Sequence, residues 1–201
     1  MDYFNHLLKD KKLATILTQP FPPLQLRQNV PLRLMASIMS QQLNTKVAKI
    51  IFNRFLELFG SQEPNVQQVL AVPIDTLRSI GLSNAKANYV KNVAAFCHAH
   101  AITDATLQTL SNIEIIELLT QIKGVGQWTV EMLLMFTLGR EDILALDDLG
   151  IQQAMMSIYN IKANDKKLIK EKILKISSKW APYRTYACMH LWRWKDTPVE
   201  V

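Results

Sequence analysis

The stretch Ile122-Lys123-Gly124-Val125-Gly126-Gln127-Trp128-Thr129, followed by an apolar segment and then Leu146-Asp147-Asp148, decides how this chain reads. Two glycines around one apolar residue make a hairpin whose backbone a partner can approach closely, because neither glycine carries a Cβ. Asn112 to Gln121 before it and Trp128 to Leu138 after it both have helical periodicity. The unit is therefore helix, hairpin, helix. The first N–H groups of the second helix lack intrahelical acceptors and suit a phosphate oxygen. Asp148 stands 20 residues beyond Trp128, among apolar neighbours. Alone, Asp148 reads as the N-cap of a helix starting at Leu149, where Asp is favoured. Behind an anion-binding hairpin it also becomes a candidate catalytic carboxylate. The two readings are compatible, since a cap position fixes a carboxylate at a helix end.

Outward from this stretch the pattern stays helical. Asp2 to Leu17 is amphipathic and ends at Gln19-Pro-Phe-Pro-Pro23. Pro31 suits the first turn of a helix running to Met39, and Asn44 suits the N-cap of Thr45 to Leu58, which Gly60 stops. Val47, Ile50, Ile51, Phe55 and Leu58 recur there at helical spacing. Shorter helices follow at Val66 to Ala71 and Ile74 to Ile80. Ser83 caps a helix from Asn84 to about His98, and Thr103 to Leu110 precedes the hairpin unit. Leu149 to Tyr159, Lys166 to Lys175 and Ala181 to Lys195 complete the chain. No alternating β pattern, repeat or low-complexity segment interrupts it. The expected class is all-α.

At 201 residues, nearly half of them hydrophobic, the sequence can bury a real core. A formal charge of +6 and a pI near 9.3 suit a polyanionic partner without requiring one. Cys97 and Cys188 are too few for a four-thiolate iron–sulfur cluster and lie in apolar helical patterns, as buried thiols do. The four histidines have no metal-ligand spacing; His190 suits a core or supporting position. Neither a signal peptide nor a membrane span is legible, so an intracellular protein is expected.

The joint pattern Lys123-Gly-Val-Gly-Gln-Trp-Thr129 with Asp148-x-x-Ile151 resembles the helix-hairpin-helix superfamily of DNA glycosylases. Ser40-Gln41-Gln42-Leu43, Gly81-Leu82-Ser83 with Lys86, and Trp180-Ala-Pro-Tyr-Arg184 with His190-Leu-Trp192 resemble its 3-methyladenine DNA glycosylase II branch. The resemblance spans about residues 31–194. It implies a two-lobed helical fold with a DNA and lesion cleft between lobes. Residues 31–110 would form most of one lobe, and 1–30 with 111–201, including the hairpin 122–127, the other. The implied partner is double-stranded DNA containing damaged bases. The protein is expected as a monomer without membrane contact, in the cytoplasm or nucleoid if bacterial.

The resemblance also implies roles. Asp148 would stabilise positive charge on the deoxyribose as the N-glycosidic bond breaks. Asp147, one residue off the family spacing, would be a supporting acid. Relatives that also cut the DNA backbone carry a lysine where this chain has Trp128, and indole cannot form a Schiff base, so a monofunctional enzyme is expected. Trp128, Met132 and Trp192 would line the lesion pocket, the rings favouring a cationic methylated purine. Met132 replaces a tyrosine of one branch member. Core packing is the competing role for Trp128. Gln42 and Leu43 would form a wedge that fills the gap left by the extruded nucleotide; Leu43 reads equally as a buried junction leucine. Gly124, Gly126, Thr129, Ser83 and Lys86 would contact phosphates. The carbonyls of Thr120, Ile122 and Val125 would hold Na+ or K+, with no other cofactor required. The implied activity is hydrolysis of alkylated purines of the 3-methyladenine and 7-methylguanine type by base flipping in base excision repair. The alternatives are a glycosylase for deaminated or etheno purines, or a non-catalytic helix-hairpin-helix module that binds damaged DNA.

Overall fold

Many of the helices start where the sequence offers a side chain to cap them. The Asn44, Ser83, Asp148 and Asp165 side chains each accept a backbone N–H from the first turn that follows. Asn65, Thr103 and Ser111 form reciprocal capping boxes with Gln68, Thr106 and Glu114. The computed structural model describes residues 2–196, and every regular element among them is helical. In order these are α1 (Asp2–Leu7), a 3-10 turn (Leu13–Ile16), α2 (Val30–Ser40), α3 (Thr45–Glu57), α4 (Val66–Ala71), α5 (Ile74–Ser79) and α6 (Asn84–Ala99). There follow α7 (Asp104–Thr109), α8 (Asn112–Leu119), α9 (Gln127–Phe136), α10 (Leu149–Tyr159), α11 (Lys166–Ser177), a 3-10 turn (Ser178–Trp180) and α12 (Arg184–Asp196). None of the described helices is long and apolar enough to cross a membrane.

The chain divides into two compact units: Leu26–Leu138, and the segment up to Gln25 together with the segment from Gly139 onward. In the central unit α2 packs on α3, α6 and α9, while α8 packs on α9. Leu34, Ile38, Phe55, Val90, Val93 and Leu134 are fully buried there. Asp104 holds the start of α2, accepting the N–H groups of Asn29 at 2.7 Å and Val30 at 2.8 Å. The hairpin belongs to this unit. The expected division placed it with the chain ends, but α9 is tied to α2 and α8, so the boundary falls after Leu138. The apolar spacing of α3 also overstates its burial. Ile51 and Phe55 are buried, whereas Val47, Ile50 and Leu58 are exposed.

In the terminal unit α10 packs on α11 and α12, and the first 3-10 turn packs on α12. The amphipathic stretch from Asp2 to Leu17 is helical only to Leu7 and again as a 3-10 turn at Leu13–Ile16. Asp10 is the reason. Its carboxylate, 7% exposed, accepts the backbone N–H groups of Lys12 and Leu13, the Trp180 indole N–H at 2.9 Å, the Lys179 ammonium at 3.0 Å and the Tyr159 hydroxyl. Helix continuation would take Asp10 away from these donors. Burial raises its pKa, but the donors outweigh burial and hold it at about 2. The expected helix from Ala181 starts instead at Arg184, where Asp142 and Glu141 supply acceptors: Arg184 is bidentate to Asp142 at 2.6 and 2.8 Å, and Thr185 N–H donates to the Glu141 carbonyl at 2.9 Å. Cys97 and Cys188 are buried thiols. Burial pushes the Cys97 thiol up to about 12.

His190 is fully buried beside Phe21 and Phe4, and among the described residues neither ring nitrogen has a hydrogen-bond partner. Burial, with the nearby Arg193 charge, pushes its pKa down to about 4.

Two outcomes follow from these buried groups. Asp10→Ala strands the donors that converge on it and should cost about 3 kcal/mol in urea unfolding. The unfolded chain protonates His190 near its ordinary pKa of about 6.5, while the folded chain resists until about pH 4. Stability is therefore intact above pH 6.5 and falls as pH drops towards 4, and His190→Phe should flatten the melting temperature across that window.

Candidate active site

Asp148 ends the loop that leads into α10. Its backbone is extended (φ −69°, ψ 122°), and its Oδ1 accepts the Ile151 N–H at 2.8 Å, so it caps the helix as expected. The Trp192 indole Nε1–H, from α12, donates to the same oxygen at 3.0 Å. Gln152 Nε2 holds the preceding turn by donating to the Leu146 carbonyl at 2.8 Å. Asp147 points elsewhere, exposed and ion-paired with Lys170 of α11. Of the two adjacent acids, Asp148 is the half-buried, doubly anchored one.

The hairpin is closed by Ile122 N–H to Leu119 carbonyl at 3.1 Å and Val125 N–H to Ile122 carbonyl at 3.0 Å. Its two glycines serve different ends. Gly124 has φ +104°, and a Cβ there would lie 2.2 Å from the Tyr89 ring, so α6 fills the space that sequence reading reserved for a partner. Gly126 is different: a Cβ would meet nothing within 4 Å. It is the N-cap of α9 and offers no side-chain acceptor to the N–H groups behind it. Trp128, in that first turn, is 39% exposed, which argues against the core-packing role.

Two expected phosphate contacts are redirected. Thr129 is buried, and its hydroxyl accepts from Gln41 Nε2 at 3.4 Å. Lys86 turns inward, its ammonium donating to the Met39 carbonyl at 3.0 Å and the Gln41 carbonyl at 2.6 Å. Partial burial lowers its pKa below that of an ordinary lysine. Both residues hold the end of α2: Lys86 supplies donors that its last carbonyls lack, and Thr129 accepts the Gln41 side chain. Ser83 is exposed and caps α6 through Lys86 N–H at 3.3 Å. The loop held in this way carries Gln42, exposed with φ +59°, and Leu43, 36% exposed. Leu43 is thus not the buried junction leucine that its type also suggested. The Gln41–Thr129 contact and the role of Tyr89 escaped sequence reading, since no spacing links either residue to its distant partner.

The profile of the HhH-GPD superfamily of base-excision DNA repair proteins matches residues 35–179. This chain belongs to that superfamily. It is 35% identical to DNA-3-methyladenine glycosylase 1 of Schizosaccharomyces pombe over 91% of this chain and 80% of that one. The solved structure of the S. pombe 3-methyladenine DNA glycosylase with abasic DNA superposes with a TM-score of 0.82, at 32% identity, covering 96% of both chains. DNA-3-methyladenine glycosidase of Bacillus halodurans gives 0.80 at 33% identity, covering 96% of this chain and 88% of that one.

In this helix-hairpin-helix protein, Met132 lies one turn beyond Trp128 and lines a groove of about 520 Å³ with Arg27, Lys49, Phe52, Leu133 and Phe136. Among the described residues no group of 3 or more His, Cys, Asp or Glu could hold a metal ion.

The two hairpin glycines should respond differently to alanine. Gly124→Ala meets both a forbidden φ and the Tyr89 ring and should lose at least about 2 kcal/mol of stability. Gly126→Ala should stay within about 1 kcal/mol of wild type in the same urea titration. Lys86→Met should leave α2 without its terminal donors and speed amide hydrogen exchange across residues 40–44.

Proposed function

We propose that Asp148 is the catalytic carboxylate with which this chain hydrolyses the N-glycosidic bond of alkylated purines in DNA, of the 3-methyladenine and 7-methylguanine kind. The enzyme is a DNA glycosylase of base excision repair, as its superfamily and its 3-methyladenine glycosylase relatives support. The observation that carries the Asp148 assignment is its anchoring: a half-buried carboxylate held from two helices, within the superfamily's hairpin-then-acid pattern.

Alkylation places a positive charge on the purine. When the C1′–N bond breaks, its electron pair returns to the ring and the base leaves neutral, so no acid need protonate it. Positive charge then resides on C1′ and the sugar oxygen, where a fixed carboxylate stabilises it. Water attacks C1′ and passes a proton to Asp148. Trp128 offers no amine, so the sugar–phosphate chain stays intact and an abasic site remains. The N–H groups at the open start of α9, beside Gly126, bind a backbone phosphate. Gln42 and Leu43, exposed on a clamped loop, fill the stack vacated by the extruded nucleotide. The carbonyls of Thr120, Ile122 and Val125 take Na+ or K+ at the hairpin. The protein acts as a monomer inside the cell, on duplex DNA.

Incubation with methylated duplex DNA should release 3-methyladenine or 7-methylguanine, detected by chromatography, with strand scission only after alkali. Asp148→Asn should bind an abasic duplex normally and lose at least about 100-fold in base release. Equal release by the variant would overturn the assignment.

A further inference from the structure

An aspartate that only caps a helix needs one backbone N–H, and Ile151 supplies it at 2.8 Å. Asp148 has a second donor on the same oxygen, the Trp192 indole N–H at 3.0 Å, which capping does not require. Donors from two helices on one oxygen fix both side-chain torsions, and so fix the direction of Oδ2 as well. Gly150 points the same way. It lies in the first turn of α10 without a left-handed φ, so its backbone does not demand glycine, and glycine in a helix is less favourable than alanine by about 0.5–1 kcal/mol. A Cβ there would stand 3.0 Å from Asp148 Oδ1 and 3.5 Å from Trp192 Cδ1. The missing methyl leaves the Asp148 oxygen uncrowded at the point where the indole meets it. Upstream, Arg184 and Thr185 bind α12 to residues 140–143, so the indole and the loop that ends in Asp148 share one frame.

We infer that Trp192 is a positioning residue for base excision: with Gly150 leaving the accepting oxygen uncrowded, its N–H sets the orientation in which Asp148 meets the developing positive charge. The inference rests on the reading of Asp148 as the catalytic carboxylate. It gives the indole a role separate from stacking on a base.

The test is single-turnover base release from methylated duplex, measured beside the Kd for that duplex, for Trp192→Phe, Gly150→Ala and Asp148→Asn. Phenylalanine keeps an aromatic ring and removes the donor; alanine keeps the donor and crowds the accepting oxygen. Each should lower the saturating rate on the order of 10- to 100-fold, the worth of a hydrogen bond to a charged group, with Kd within about twofold of wild type. Thermal unfolding confirms that each variant is folded, and Gly150→Ala decides should Trp192→Phe not fold. Wild-type rates in both variants, with Asp148→Asn inactive, overturn the positioning role and leave the catalytic assignment standing. A weakened Kd with an unchanged saturating rate makes Trp192 a stacking wall and overturns it as well. An active Asp148→Asn removes the underlying assignment, a failure distinct from the other two.

Discussion

The terminal unit depends on the fastening of residues 140–148 to α12. At one end Asp142 grips Arg184 through two parallel hydrogen bonds, and the Thr185 hydroxyl bridges the Arg140 carbonyl and the Ile143 N–H. At the other end Asp148 meets Trp192. Between these points the segment has no helix or strand to satisfy its backbone, so its path is set by α12, by Gln152 of α10 and by its own turns. Asp10 does the same for the start of the chain, trading a continued α1 for a cluster of donors from Tyr159, Lys179 and Trp180. In both places a carboxylate organises irregular backbone, because an acid removed from water needs several donors at once.

The central unit uses its polar residues inwardly to a degree that charge counting conceals. Lys86 and Lys91 both end on helix-terminal carbonyls, at Met39 with Gln41 and at Val69 with Leu70. An ammonium is a suitable partner there, since the last turn of a helix exposes unpaired oxygens and the negative end of its dipole. The consequence for function lies in the α2–α3 loop. Gln42 and Leu43 are presented on a backbone held by Lys86 and by the Gln41–Thr129 contact. In the proposed wedge role, such a loop would have little ordering left to do on binding.

Local chemistry was legible in the sequence. Caps at Asn44, Ser83 and Asp148, the proline at the start of α2, the stop at Gly60 and the helix on either side of the hairpin follow from residues within a few positions of one another. So did the family, because its hairpin and aspartate lie in one short stretch. The sequence by itself therefore determined an all-helical chain of the helix-hairpin-helix superfamily, with Asp148 capping α10. Tertiary structure alone decided that Gly124 yields to Tyr89, that Lys86 and Thr129 face inward, that α1 ends at Leu7, and that Trp192 reaches Asp148. Each of these is a contact between side chains far apart in the chain. A cap or a turn is written in neighbouring residues, whereas the partner of a distant polar group is set only when packing brings the two together.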